Sequence, residues 1–212
     1  MRCPVCETEA CRPFQAVGGR DYWRCTVCLC TFLQPDQRPG PEAEQAEYRL
    51  HQNTADQPGY RHFLQQLTAP LLKRLNGPSQ GLDFGCGPGP VLADLIREAG
   101  HSVALYDPFF QPDGAVLAQT YQFVTCSEVV EHFHQPAAEF RRLDGLLAPG
   151  GWLALMTGFQ TDDALFASWH YRRDPTHVVF YRETTLRWLA RRHGWHCEIP
   201  CVNVALMQKP GA

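Results

Sequence analysis

Apolar residues recur at helical spacing through Phe63, Leu64, Leu67, Leu71, Leu72 and Leu75, and Asn76-Gly77-Pro78 stops that helix. The next apolar run, Gly81-Leu82-Asp83-Phe84, reads as a short strand. It enters the turn Gly85-Cys86-Gly87-Pro88-Gly89-Pro90 and then a stretch of helical pattern from Val91 to Gly100. Further strands are expected over His101–Asp107, at Phe123–Ser127, at Trp152–Met156 and at Val202–Met207. Between the last two, Leu186, Trp188 and Leu189 mark a helix over Thr184–His193 with Gly194 as its C-cap. Its arginines, Arg187, Arg191 and Arg192, with Arg182 just ahead, read as a solvated basic face, since two of them sit where the helix dipole favours positive charge. Strands alternating with helices predict an α/β domain with a largely parallel sheet.

The first thirty residues follow no such period and instead crowd six of the ten cysteines. Cys3-Pro4-Val5-Cys6 and Cys25-Thr26-Val27-Cys28 are two C-x2-C turns separated by eighteen residues, a spacing that suits a structural zinc site. Two such turns place four thiolates about one ion at roughly 2.3 Å, a closed shell with no open position for catalysis. Gly18-Gly19 marks a hairpin and Tyr22-Trp23-Arg24-Cys25 its returning strand, so residues 1–33 are expected to form a zinc ribbon. The alternative is a set of reduced, unmetallated thiols. Cys11 and Cys30 lie outside any C-x2-C turn and are left out of the ligand set. Residues 34–60, polar, Pro-rich and then acidic, read as a linker with a short helix, and residues 61–212 as the main domain.

Composition narrows the options. The formal net charge is −3, so no global basic field draws the chain to nucleic acid or an anionic membrane. With 44% hydrophobic residues, wholesale disorder is excluded. No stretch approaches the roughly 20 apolar residues of a membrane span, and no secretory pattern opens the sequence. A cytoplasmic protein is expected, with cysteines as thiols or metal ligands in preference to a disulfide framework.

The glycine turn lets a ligand approach the backbone, and the helix behind it favours an anionic group. Asp107 ends the second strand roughly 20 positions later, where an acid binds ribose hydroxyls. A nicotinamide-binding domain fits poorly, because Pro90 stands where the third glycine belongs and no second dinucleotide half follows. Four ordered segments, Leu82–Gly89, Asp107, Phe123–His132 and Leu146–Leu153, resemble class I S-adenosylmethionine-dependent methyltransferases. The resemblance implies a Rossmann-like, mostly parallel sheet with an antiparallel last strand. It also implies a cofactor site in which Asp83, Gly85, Cys86, Gly87 and Gly89 surround the methionine portion and Asp107 holds the ribose. Cys126, Ser127 and Glu128 would then line the pocket near the sulfonium. Only residues 108–121 separate the Asp107 strand from the next, so an edge strand is expected to be short or missing, with Phe109 and Phe110 framing the adenine.

On the acceptor side, His132 and His134 follow the third strand, and His177 follows the mixed aromatic and cationic loop Trp169–Thr176. All three are candidates for the base that takes an acceptor's proton, the alternative being backbone hydrogen bonding that fixes the loops. A second metal at His132 and His134 is not expected, for want of a third ligand at helpful spacing. The sequence thus predicts a methyltransferase for a small-molecule acceptor, with structural Zn2+ in the ribbon. A ribosomal or transfer RNA base methyltransferase is an alternative that the charge balance disfavours, and a protein-binding scaffold on the same fold is another.

Overall fold

A computed structural model describes residues 1–50 and 58–211. The first strands are β1 (Cys11–Val17) and β2 (Arg20–Cys25), joined through Gly18 and Gly19, and β3 (Thr31–Leu33). After them comes α1 (Pro41–Tyr48), and residues 51–57 of the expected linker lie outside the described residues. The larger part continues as α2 (Pro58–Leu72), β4 (Gln80–Phe84), α3 (Val91–Glu98), β5 (Ser102–Tyr106), β6 (Tyr121–Ser127), α4 (Pro136–Leu146) and β7 (Leu147–Met156). It ends with α5 (His170–Arg173), β8 (Val179–Phe180), α6 (Glu183–His193), β9 (His196–Cys201) and β10 (Val204–Gln208).

Six of these strands form one sheet in the order β5-β4-β6-β7-β10-β9. The pairs β4·β5, β4·β6 and β6·β7 are parallel, and β10 runs antiparallel to both β7 and β9. The sheet is therefore the Rossmann-like plan with an antiparallel last strand. Between β5 and β6 the chain forms a 3-10 turn at Gly114–Ala118 in place of a strand, leaving β5 as the edge. The strand β9 was not expected; its pattern, half-buried along nearly its whole length, carries no clean alternation.

Period-two alternation sorts the core onto two faces. Phe123, Ala154, Met156, Val204 and Leu206 face α2 and α3, where Leu64, Leu67, Leu71, Val91 and Ile96 are buried. Their neighbours Val124, Cys126, Leu153, Leu155, Ala205 and Met207 face the opposite way, toward Phe140 and Leu143 of α4 and Leu186 and Leu189 of α6. The N-terminal ribbon shares that second core through Cys3, Val5, Tyr22 and Phe32. It is also joined to the main domain by a sheet of its own, ordered β1-β2-β3-β8, in which Thr31 pairs with Phe180 and Phe32 with Val179. Among the described residues no helix is long and apolar enough to cross a membrane.

Candidate active site

The sheet order reverses between β4, which leads to β5 on one side, and β6 on the other, and at that switch point the strand ends open into a crevice. Gly85 leaves β4 with φ 81° and Gly87 follows with φ 64°, both in the left-handed region that glycine adopts without strain. A Cβ on Gly85 would stand 2.5 Å from Val129 Cγ2, so glycine is required there by space as well. The turn is pinned by its neighbour strand: Gly85 and Cys86 both donate to the Tyr106 carbonyl, at 2.7 and 3.1 Å. Asp107, buried at the end of β5, accepts from the Gly87 amide (3.0 Å) through Oδ2 and from Phe109 and Phe110 amides (2.8 and 3.0 Å) through Oδ1. This carboxylate orders the turn and the loop carrying both phenylalanines, and each oxygen keeps lone-pair capacity for a ligand hydroxyl. Asp83, buried, accepts from Thr125 Oγ1 at 2.7 Å, and burial pushes its carboxyl up to about 6.

These groups line one cavity of about 1180 Å3. Asp83, Gly85, Cys86, Gly87, Gly89, Asp107, Ser127 and Glu128 are all on its wall, as are Phe109 and Phe110. Cys126 is not: its side chain is fully buried in the sheet core, because the alternation along β6 turns it away from the crevice.

The far end of the cavity is built by the turn after β6 and the segment between α5 and β8. Glu128 holds φ 54°, unusual for a residue with a side chain, and burial followed by the nearby Glu131 charge raises its carboxyl to about 9, so it is neutral near pH 7. Glu131 has no exposed surface; it accepts from Thr157 Oγ1 at 3.0 Å and from the Tyr171 hydroxyl. Nδ1 of His132 lies 3.1 Å from the Thr176 carbonyl, and Nδ1 of His177 lies 2.7 Å from the Tyr171 carbonyl. A carbonyl only accepts, so both rings carry their proton on Nδ1 and keep a lone pair on Nε2 when neutral. The rings meet edge to face with centroids 4.7 Å apart, and burial lowers the pKa of His132.

His134, expected alongside them, lines the same cavity but is tied to a different element. Its Nε2 is 2.8 Å from Glu44 of α1, and its carbonyl accepts from Arg38 at 2.7 Å. The segment read as a linker thus packs on the site, and Tyr48 stands edge to face with His132 at 5.1 Å. Its Pro-rich, acidic composition hides this; Tyr48 and Tyr60 are the aromatic signals in it, and both line the cavity. Tyr171 and Glu131 were likewise not singled out as partners, because forty residues of sequence separate them.

In the ribbon, Cys3, Cys6, Cys25 and Cys28 bring their Sγ atoms within 4.8 Å of one another. A tetrahedral zinc with bonds of about 2.3 Å needs sulfurs about 3.8 Å apart, so the four fit that ion. Contacts from Cys28 and Cys30 hold the Cys3 thiol well below its ordinary range, while burial raises Cys6 and the contact with Cys3 raises Cys28, so the thiols do not share one protonation state. Cys30, omitted from the expected set, is a fifth sulfur: Leu29 at φ 63° turns the chain so that Cys30 Sγ lies 3.4 Å from Cys3 and 3.5 Å from Cys28.

Residues 57–198 match the model of a family described as a methyltransferase domain. The chain belongs to that methyltransferase domain family. A ubiquinone biosynthesis O-methyltransferase from Serratia proteamaculans is 31% identical over 91 residues, 43% of this chain and 38% of that protein, so the match spans well under half the relative's length. Among solved structures, 1,6-didemethyltoxoflavin-N1-methyltransferase from Burkholderia thailandensis, with bound 1,6-didemethyltoxoflavin and S-adenosylhomocysteine, is similar with TM-score 0.53 and 17% identity. That match covers 94% of this chain and 99% of the other. A SAM-dependent methyltransferase from Archaeoglobus fulgidus is similar with TM-score 0.54 and 15% identity, over 70% and 94% of the two chains. At these identities the likeness is one of methyltransferase fold.

Proposed function

We propose that this methyltransferase-family protein transfers the methyl group of S-adenosylmethionine to a small-molecule acceptor, with structural zinc in its four-cysteine ribbon. The carrying observation is that one cavity of about 1180 Å3 runs from the glycine turn to the His132 and His177 pair. That volume exceeds the roughly 300–1,000 Å3 of a single small-ligand site and suits a cofactor with an acceptor beside it. When bound, S-adenosylmethionine supplies a sulfonium methyl for in-line displacement by the acceptor.

The chain's own residues have separable tasks. Gly85 and Gly87 let the backbone close on the cofactor, while Asp107 fixes the turn and presents carboxylate lone pairs to the ribose. Phe109, Phe110 and Tyr48 enclose the space between the ends, with Phe109 and Tyr48 rings 5.7 Å apart. His132 and His177 present their Nε2 lone pairs to the acceptor, where a hydroxyl or amine nucleophile gives up its proton. Glu128, neutral, donates a hydrogen bond to an acceptor oxygen or nitrogen. His134 serves α1 through Glu44 and is a positioning residue.

The finding that an acceptor was present together with S-adenosylhomocysteine in the Burkholderia enzyme supports a small molecule as the second ligand here. Incubating the purified protein with S-adenosylmethionine and fractionated small-molecule extracts tests the proposal. Formation of S-adenosylhomocysteine and of a product one methyl group heavier is expected; turnover with RNA alone would overturn it.

A further inference from the structure

Glu131, His132 and His177 each bring one ligand atom to a point where all lie within 4.8 Å of one another. We propose that this triad binds a divalent transition-metal ion of the class favoured by imidazole, such as Zn2+, Co2+ or Ni2+, at the acceptor end of the cavity. The proposal deepens the methyltransferase reading, on which its catalytic part rests; the binding site itself stands on the geometry.

Each ligand is already oriented as a metal ligand needs to be. The two imidazoles commit Nδ1–H to carbonyls of Thr176 and Tyr171, leaving Nε2 as the nitrogen available to an ion, with that of His177 set between Asp174 Oδ2 at 3.7 Å and Glu131 Oε1 at 4.0 Å. The Glu131 carboxylate is aimed by two hydroxyls, from Thr157 and Tyr171. It is fully buried, and the nearest cationic candidate is His177, whose Nε2 lies 4.0 Å from Oε1; among the described residues no lysine or arginine pairs with it. A buried carboxylate with no cation is costly, and a divalent ion removes that cost. Ligand bonds of about 2.0–2.2 Å require the three groups to close by about an ångström, within the reach of side-chain rotation. Two nitrogens and one oxygen favour imidazole-binding transition ions over Mg2+ or Ca2+. The sequence concealed the set because its third member arrives from the segment before β8, far from the His132 turn.

Three protein ligands leave positions open for an acceptor oxygen. A hydroxyl bound there loses its proton to solvent water at lower pH than in bulk, and the resulting oxygen forms the new bond to the methyl carbon. The carbon–sulfur bond breaks with its electron pair passing to sulfur, giving S-adenosylhomocysteine. Ion and proton are alternatives for the same two Nε2 lone pairs.

Titration of the purified protein with Co2+, read by visible absorption, tests the site. One equivalent is expected with the d–d bands of nitrogen and oxygen ligands and without the thiolate-to-cobalt charge-transfer band that binding in the ribbon would give. Its affinity should fall about 10- to 100-fold in His177→Ala and in Glu131→Gln. Glu131→Gln keeps the side-chain shape and serves if His177→Ala does not fold, folding being judged by circular dichroism and cooperative thermal unfolding. Cobalt absorption confined to the charge-transfer type, or an affinity unchanged in Glu131→Gln, would overturn the site. Cobalt bound in this way by a protein that does not bind S-adenosylhomocysteine would uphold the site while overturning the methyltransferase reading.

Discussion

The amide of Leu33 in β3 donates to the carbonyl of Val178 at 2.9 Å, and the Val178 amide donates in turn to the carbonyl of Glu131, also at 2.9 Å. A strand that follows the cysteine cluster is thus two hydrogen bonds from the acceptor end of the cavity and adjacent to His177. Side chains reinforce the link. Arg24 of the ribbon reaches Asp163 at 2.7 Å, Arg182 pairs with the same carboxylate, and Tyr22 packs edge to face on Phe166 with centroids 4.9 Å apart.

Disturbing the ribbon should therefore act at a distance, on the acceptor and not on the cofactor. Cys28→Ser, or partial removal by a chelator of the zinc proposed there, is expected to lower kcat/KM for the acceptor by roughly tenfold or more, about 1.4 kcal/mol. S-adenosylhomocysteine affinity should stay within about threefold, since none of the Gly85–Gly89 contacts involves the ribbon. Parallel steady-state kinetics and calorimetry decide the matter; equal loss of both would show that the ribbon supports only global folding.

The three histidines should separate in kinetics. His132→Ala and His177→Ala are expected to lower kcat by about 10²-fold or more, the range of proton-handling groups. His134→Ala, which breaks a hydrogen bond to Glu44, should cost less than about tenfold. Turnover measured with cofactor saturation checked separately for each variant makes the comparison.

Stability should also depend on pH through Glu128. Its folded-state carboxyl is raised to about 9, chiefly by burial, while the unfolded value is ordinary, about 4.3. Between those values the native state holds a proton that the unfolded chain has released, so this contribution is full below about pH 4 and is lost as pH rises toward 9. Glu128→Gln should flatten the fall in Tm between about pH 5 and pH 9. A slope unchanged from the wild type would assign the dependence to other groups, such as Asp83, raised in the same direction by burial.

Gly85→Ala tests the turn. The added methyl would meet Val129 Cγ2 at 2.5 Å and hold a side chain at φ 81°. A loss of about 2–4 kcal/mol is expected, with Tm lowered by roughly 5–15 °C and cofactor affinity reduced. Thermal unfolding with and without S-adenosylhomocysteine measures both effects.

Much of this architecture was legible because its signals are local. The glycine turn, Asp107 and the cysteine pairs each announce themselves within a few residues, and the short interval after Asp107 foretold the strandless edge. What escaped depends on contacts between distant segments. The two-residue strand Val179–Phe180 carries too little pattern to be seen, yet it joins the ribbon to the main domain. Residues 34–48 read as linker because polar side chains dominate them, although Glu44 and Tyr48 both line the cavity. Cys126 differs for a simpler reason: the motif marks its stretch of β6 as cavity-lining, but the two-residue alternation turns its side chain into the core while Ser127 faces the cavity.

In the function proposed above, the glycine turn and Asp107 together hold the cofactor. Isothermal titration of S-adenosylhomocysteine into the wild type and into Asp107→Ala measures it directly. One ligand per chain is predicted for the wild type, with affinity reduced on the order of 100-fold in the variant, where the Gly87, Phe109 and Phe110 amides lose their shared acceptor. Absence of binding to the folded wild type, or equal affinity in both proteins, would overturn that role for Asp107 and the turn.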